Sequence, residues 1–411
     1  MNASLFSAVQ MAPRDPTLGV SEAFNQDTRA NKVNLGVGVY LTDEGRIPIL
    51  RAVAEAERLL AASLTPRGYL PIEGIAAYDL AVQRLLLGND STLLAEGRAI
   101  TAQSLGGTGA LKIGADLLKK VLPEACVAIS DPTWDNHRGV FESAGFDVVN
   151  HPYYDPVNHG VRFEAMIDFF ATLPPRSIIV LHACCHNPTG ADLTDEQWQA
   201  VIDILLEREL VPFLDIAYQG FARGVEEDGA LLLRFARAGM PFLIASSFSK
   251  SFSLYGERVG ALTVVDASRD ESARVLSQLK RVIRANYSTP PTHGGMIVAS
   301  VLNTPELRDL WLRELEEMRV RIRKMRSALV DRLQAHAAGR DFSFVLRQNG
   351  MFSYSGLSAQ QVETLRSEFG IYAVSTGRIC VAALNSRNVD YVAGAMASVL
   401  KTVAPEAELQ R

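Results

Sequence analysis

Short apolar runs recur through the middle of the chain, at Ala125–Ser130, Ser177–His182, Val211–Asp215, Phe242–Ser246 and Val259–Val265, and each reads as a strand. Helical patterns fill the stretches between them. Thr194–Arg208 is one, with acidic residues at its start and an arginine at its end to complement the helix dipole. Alternation of this kind predicts an α/β fold, a mostly parallel sheet with helices on both faces. From Pro305 to about Ala338 a long charged pattern predicts one extended helix leading out of that sheet domain. Gly350–Ser355 and Ile379–Val381 then read as strands of a smaller terminal domain. Neither repeats nor low-complexity linkers break the pattern.

Composition adds bounds. A chain of 411 residues exceeds one ordinary core, so two domains are expected, and a hydrophobic content of 48% supports a large buried interior. The apolar runs are too short or too interrupted to span a bilayer, and Met1–Met11 has no cationic region followed by an apolar block. A cytoplasmic protein without a membrane anchor is expected. The net charge of −5 argues against a polyanion-binding surface, so no nucleic-acid partner is expected. Cys126, Cys184, Cys185 and Cys380 sit in apolar stretches and read as reduced, buried thiols. His182, Cys184, Cys185 and His186 have the ligand types of a metal site. Strand alternation would point Cys184 and Cys185 to opposite faces unless the chain turns between them, so no metal is expected.

Three segments carry chemistry. In Ser246–Gly260, small hydroxyl residues surround Lys250, and Arg258 follows eight positions later. A lysine amine condenses with an aldehyde, while serine hydroxyls and an arginine fork are the donors a phosphate dianion needs. Pyridoxal phosphate combines both groups. The bland reading is a solvated, serine-rich surface loop. Upstream, Asp215 closes an apolar strand where ligands of α/β sheets bind, and a carboxylate there would keep a pyridine nitrogen protonated. Tyr218 follows within reach of the ring oxygen. An aspartate in that place also serves as a turn or cap residue. In Gln103–Leu118, a glycine-rich turn opens a helix whose free amides, with the Thr108 hydroxyl, suit a phosphate; many such turns only pack.

Taken together, the chain resembles the class I aminotransferases of PLP fold type I, the bacterial aspartate and aromatic-amino-acid group, nearly end to end. The resemblance is carried by the segments 32–40, 106–111, 131–137, 182–190, 215–221, 249–258 and 284–288. It implies a large domain, 43–310, with a mostly parallel seven-stranded sheet, and a smaller α/β domain built from both termini, 1–42 and 311–411. Lys250 would be the Schiff-base lysine and proton shuttle, Asp215 the partner of the pyridine nitrogen, and Tyr218 with Asn187 the partners of the ring oxygen. Trp134 would stack on the ring, and His137 would back Asp215. Gly107, Thr108, Ser247 and Arg258 would hold the phosphate, with Tyr69 reaching across from a second subunit. Arg378 would grip the substrate α-carboxylate, Gly38 would lie close to the substrate, and Arg284 of the neighbouring subunit would meet a distal carboxylate. A homodimer with shared sites follows, as do cis bonds at Asp131-Pro132 and Asn187-Pro188.

Each role has a plainer alternative: Trp134 as a core aromatic, His137 as a solvated helix residue, Asn187 as a turn former, and the three arginines as surface charges. The expected reaction is transamination between an L-amino acid and a 2-oxo acid such as 2-oxoglutarate. Arg284 favours dicarboxylates such as aspartate and glutamate. The pocket surroundings are mixed: Val39 and Thr108 are of the aspartate type, Leu41 and Ile47 of the aromatic type, Gly68 and Thr289 of neither, so phenylalanine and tyrosine are expected substrates too. The alternatives are another reaction of the same cofactor, β-elimination or decarboxylation, and a non-enzymatic cofactor-sensing module.

Overall fold

The computed structural model describes residues 4–12, 17–63, 66, 68–337 and 339–402. Its main sheet has seven strands: β1 (Ala99–Leu105), β2 (Val127–Asp131), β3 (Val148–Pro152), β4 (Ile178–His182), β5 (Val211–Ile216), β6 (Phe242–Ser247) and β7 (Val259–Val265). They lie side by side in the order β1, β7, β6, β5, β4, β2, β3. Only β7 runs antiparallel to its neighbours; the other pairs are parallel. The expected α/β fold with a mostly parallel sheet is therefore borne out. Every residue of β4, β6 and β7 is buried, because helices cover both faces. One apolar layer joins Phe213, Leu243 and Leu262 to the helices Gly106–Val121 and Arg269–Asn286. The other joins Leu214, Phe242 and Ile244 to the rest of the chain.

The five expected strands are present within two residues at each end. The helix expected over Thr194–Arg208 spans Asp195–Glu207, with Thr194 and Gln197 bonding each other's backbone amides as a capping box. The long helix runs Pro305–His336, and the expected end near Ala338 lies outside the described residues. Its buried positions Trp311, Leu315, Met318, Ile322, Leu329 and Leu333 follow helical spacing. Two buried charges on that helix do structural work. Glu314 accepts the amides of Arg51 and Ala52 at 2.7 and 3.0 Å, and Arg326 donates to the carbonyls of Val345, Gly350 and Phe352.

Near the C-terminus, Phe352–Tyr354 pairs antiparallel with Arg378–Cys380. The strand expected at Ile379–Val381 needs one correction: Val381 begins a 3₁₀ turn, Val381–Ala383. Val33–Asn34 pairs in parallel with Ile371–Tyr372, bringing the early chain beside the late chain.

Candidate active site

Register brings the candidate residues to one end of the sheet. His182 on β4 lies opposite Asp215 on β5, Asp215 lies opposite Ala245 on β6, and Ser247 follows at the end of that strand. Beyond these ends lies a cavity of about 250 Å³, lined by Lys250, Asp215, Tyr218, Trp134 and Asn187 among others. A larger cavity, about 750 Å³, opens near the other end of the sheet, but leucines and valines line most of it. Convergent polar groups, and not size, mark the first as the site.

Asp215 is buried and takes a 3.0 Å bond from His137 Nε2. Burial works against its ionisation, yet the His137 bond, with the Lys250 cation adding to it, outweighs burial and holds the carboxyl below its usual range. The chain of bonds continues from His137 Nδ1 to Thr133 Oγ1 at 2.8 Å and from Thr133 Oγ1 to His182 Nε2 at 3.3 Å. Burial, with His137 adding to it, lowers His182 to about 3, so that ring is neutral. An ionised Asp215 only accepts, which assigns Nε2–H to His137.

Lys250 follows β6 on a turn. Its Nζ lies 4.8 Å from the centroid of the Tyr218 ring and makes no hydrogen bond among the described residues. Burial, aided by Arg258 and Arg378 and opposed by Asp215, brings the amine down to about 8. Burial raises the Tyr218 phenol, with Arg378 pulling the other way, so that hydroxyl keeps its proton.

The phosphate-type donors lie beside the amine. β1 ends at Leu105 and the helix Gly106–Val121 starts at once, its first amides free at the cavity. Gly106 has φ +70°, and a Cβ there would stand 2.6 Å from Arg258 Nη2, so only glycine lets the guanidinium close on this turn. Arg258 Nη1 is held by the Tyr255 carbonyl at 3.0 Å and the Ser249 hydroxyl at 3.4 Å. Gly107, Thr108 and Ser247 also line the cavity. An amine without a partner next to a helix start, two hydroxyls and an arginine fits an aldehyde that carries a phosphate.

Arg378 is buried, donating Nη1 to Asn187 Oδ1 at 3.1 Å and Nη2 to the Gly36 carbonyl at 2.9 Å, with the Phe352 ring 4.4 Å away. Its Nε is buried without a partner, which suits a carboxylate yet to arrive. The bonds before Pro132 and Pro188 are both cis, as expected.

Of the predicted residues, Gly38, Gly107, Thr108, Trp134, Asn187, Asp215, Tyr218, Ser247, Lys250 and Arg258 line one cavity. Arg378 and His137 bond to members of that set. Tyr69 and Arg284 are not among them: Tyr69 is 97% exposed, and Arg284 is exposed on its helix and bonded to the Ser288 hydroxyl. Leu111, His182, Ala217, Ser249 and Tyr255 line the cavity without having been predicted. Ser249 and Tyr255 flank Lys250 in the run that drew attention to it, but nothing local to the sequence says which way they face.

The cysteine argument needs correction. β4 ends at His182 and Cys185 has φ +52°, so strand alternation stops before the pair. Ligand atoms of Cys184, Cys185 and Asp228 therefore lie within 4.8 Å of one another. Asp228 accepts the amides of Gly220, Ala222 and Arg223, while His186 bonds Ser130 and Thr189. Two metal-type thiols come together, but the imidazoles expected beside them are engaged elsewhere. All four cysteines are free thiols.

Fold and site together define an α/β protein built to hold a phosphorylated carbonyl compound beside a lysine. The profile described as "Aminotransferase class I and II" matches residues 30–396, and the chain belongs to that family. It is 65% identical to the aspartate aminotransferase of Pseudomonas aeruginosa over 97% of this chain and 100% of that protein. It is 52% identical to the aromatic-amino-acid aminotransferase of Escherichia coli K12, over 96% and 100%. Among solved structures, the aromatic-amino-acid aminotransferase from Burkholderia pseudomallei, covalently bound to pyridoxal phosphate, superimposes with a TM-score of 0.95 at 64% identity, covering 97% of this chain and 100% of that one.

Proposed function

We propose that the protein is a pyridoxal phosphate-dependent aminotransferase that moves an amino group between an L-amino acid and a 2-oxo acid by a ping-pong route. The observation that carries this reading is the single cavity that unites the Lys250 amine and the Asp215 carboxylate, with the Arg378 guanidinium bonded to Asn187 at its wall. The bound cofactor supplies a carbonyl carbon for the amino group and a protonated ring that takes up carbanion charge. Gly107 at the helix start, Thr108, Ser247 and Arg258 would anchor its phosphate. Asp215, oriented by His137, keeps a proton on the ring nitrogen, and Tyr218 and Asn187 bond the ring oxygen.

Lys250 serves as tether and then as base. Once displaced, Nζ would be the base that takes the proton from the substrate Cα and the acid that delivers it to the former aldehyde carbon on the far side of the nitrogen, so one amine would serve both ends of the transfer. Its value of about 8 leaves part of the free amine unprotonated near neutral pH. Arg378 and Asn187 hold the α-carboxylate, and Gly38 leaves room beside the substrate. We assign aspartate and glutamate as donors and phenylalanine and tyrosine as further ones; relatives of both kinds match over nearly the whole chain. Arg284 with Arg378 suits dicarboxylic substrates and speaks for transamination over β-elimination or decarboxylation, and retention of the lysine, aspartate and arginine set speaks against a catalytically silent module. Incubating the protein with aspartate and 2-oxoglutarate tests this directly: glutamate is expected to form mole for mole as aspartate is consumed, and loss of aspartate without glutamate would overturn it.

We further infer a homodimer with shared sites. In its support, Tyr69 and Arg284 are exposed and apart from the cavity they are expected to serve. Mixing an inactive Lys250→Ala chain with an inactive Arg284→Asp chain should restore aspartate activity, because one hybrid site keeps both native residues. Hybrids that form but stay at the parental level would place Arg284 within its own chain. The division into 43–310 and a smaller unit from 1–42 and 311–411 is supported by the pairing of Val33–Asn34 with Ile371–Tyr372. A cytoplasmic location agrees with the finding that no helix of the described residues is long and apolar enough to cross a membrane.

A further inference from the structure

Residues 35–41 hang from the C-terminal strands. The Leu35 carbonyl accepts the Cys380 amide at 2.7 Å, and the Leu41 amide donates to the Ala382 carbonyl at 3.1 Å. Across the cavity lies the turn that carries Lys250. Among the described residues one hydrogen bond joins the two: the Tyr40 amide donates to the Tyr255 hydroxyl oxygen at 2.9 Å. Tyr255 lines the cavity with Lys250, and so does Gly38, which stands between the two anchored ends of the segment. A Cβ at Gly38 would come within 2.8 Å of Phe352 Cζ, so the backbone passes close to that ring.

The same segment also touches the carboxylate clamp. Arg378 Nη2 donates to the Gly36 carbonyl at 2.9 Å. Gly36 and Tyr40 are thus the two ends of a short strap, one bonded to the arginine and the other to the lysine turn. Burial raises the Tyr255 phenol, against the effect of the Tyr40 bond, so the hydroxyl accepts from the strap while keeping a proton of its own.

We propose that Tyr255 is a positioning residue for the substrate: its hydroxyl latches the Gly36–Tyr40 strap to the Lys250 turn and thereby fixes the Arg378 clamp relative to the lysine amine. The inference rests on the transamination proposed above. A substrate α-carboxylate binds best where the clamp is already set, and without the latch the Gly36 carbonyl that holds Arg378 Nη2 is tied to the C-terminal segment alone, so the clamp must be ordered as substrate binds. The loss falls on substrate binding, before and during reaction alike, and so on KM more than on kcat.

Tyr255→Phe keeps the ring and removes only the acceptor. KM for both aspartate and 2-oxoglutarate should rise about tenfold, the effect of one lost hydrogen bond, with kcat within about threefold of the parent. A second readout needs no turnover: the Kd of succinate, a dicarboxylate with neither amino nor oxo group, should weaken by a similar factor. Cofactor absorption should not change, since the phosphate and ring contacts are elsewhere. Unchanged KM and succinate Kd in Tyr255→Phe would overturn the proposal. So would a Tyr255→Leu variant that alone is impaired, since that would assign the effect to ring packing. If the native protein fails to transaminate aspartate, the functional reading fails; if it succeeds while Tyr255→Phe matches it, only the latch fails.

Discussion

Asp215 and Asp79 are buried to the same degree, 6% and 7% exposed, and chemically they go opposite ways. Asp215, at the carboxyl end of β5, meets His137 and is held below the usual carboxylate range. Asp79, in the first turn of the helix Ala76–Leu87, is raised to about 8 by burial and by the nearby Glu73, with only the Gln103 amide opposing. Its Oδ1 is buried without a partner, as is Gln103 Oε1. The start of a helix favours an anion, yet that benefit is about 0.3–1 kcal/mol and does not offset burial without a donor. Depth therefore says little about whether a carboxylate works as a charge. A donor aimed at it, and a cation within range, decide the matter; Asp215 has both, in His137 and Lys250.

The largest test of this contrast is Lys250→Ala. Removing the amine takes away the tether and the base together, so transamination should fall about 10⁴-fold or more. Cofactor should still bind through the separate phosphate donors, and the absorption of the covalent link should vanish. Retained absorption of that link would mean another amine carries it, and the charge contrast would then be centred on the wrong residue.

Next comes Asp215→Ala, which turns the active carboxylate off while leaving Lys250 in place. The covalent link to cofactor should remain. The rate should drop roughly 10²-fold to 10⁴-fold, the equivalent of about 3–6 kcal/mol of lost charge-assisted bonding in the transition state. Activity within about tenfold of the native protein would show that ionised Asp215 is no more important than neutral Asp79.

Why one aspartate was legible in the sequence and the other was not follows from where their partners come from. Asp215 ends an apolar run, and the carboxyl ends of such strands are where ligands meet α/β sheets. Asp79 lies in Ala76–Ala77–Tyr78–Asp79–Leu80, an ordinary helical stretch whose burial arises only when the helix packs on β1 and the helix Val225–Ala238. The strands divide in the same way. β5, β6 and β7 each carry a run of apolar residues with few polar positions and could be read directly. β1 was missed as a strand because Thr101, Gln103 and Ser104 are buried in it; Thr101 bonds Thr263 across the sheet at 2.7 Å, and Gln103 Nε2 bonds the Pro291 carbonyl at 2.7 Å. β3, at the edge, is partly exposed and ends at Pro152, so it lacks both the apolar run and a clean alternation. The cofactor-side residues came through because each stands in a short motif. The Thr133 link between His137 and His182, and the Tyr255 bond to Tyr40, join residues far apart in the chain and needed the fold.

Asp79→Asn sharpens the contrast from the other side, with the smallest effect and a definite sign. The folded value of about 8 stands above the ordinary carboxylate value of 3.8, so between these the folded protein holds a proton that the unfolded chain has released. Stability contributed at this position is therefore present at low pH and declines as pH rises from about 4 towards 8. Asparagine cannot ionise, and its amide has a donor to offer where two buried acceptors lack one. The variant should match the native protein near pH 5 and exceed it by about 1–3 kcal/mol near pH 8, the span expected for a buried polar group without a partner. Denaturant midpoints at the two pH values, taken at one protein concentration so that association does not shift them, measure the difference. A variant that is less stable at pH 8, or a gap that ignores pH, would mean Asp79 is ionised and paired in solution, and that the two carboxylates differ less than their surroundings indicate.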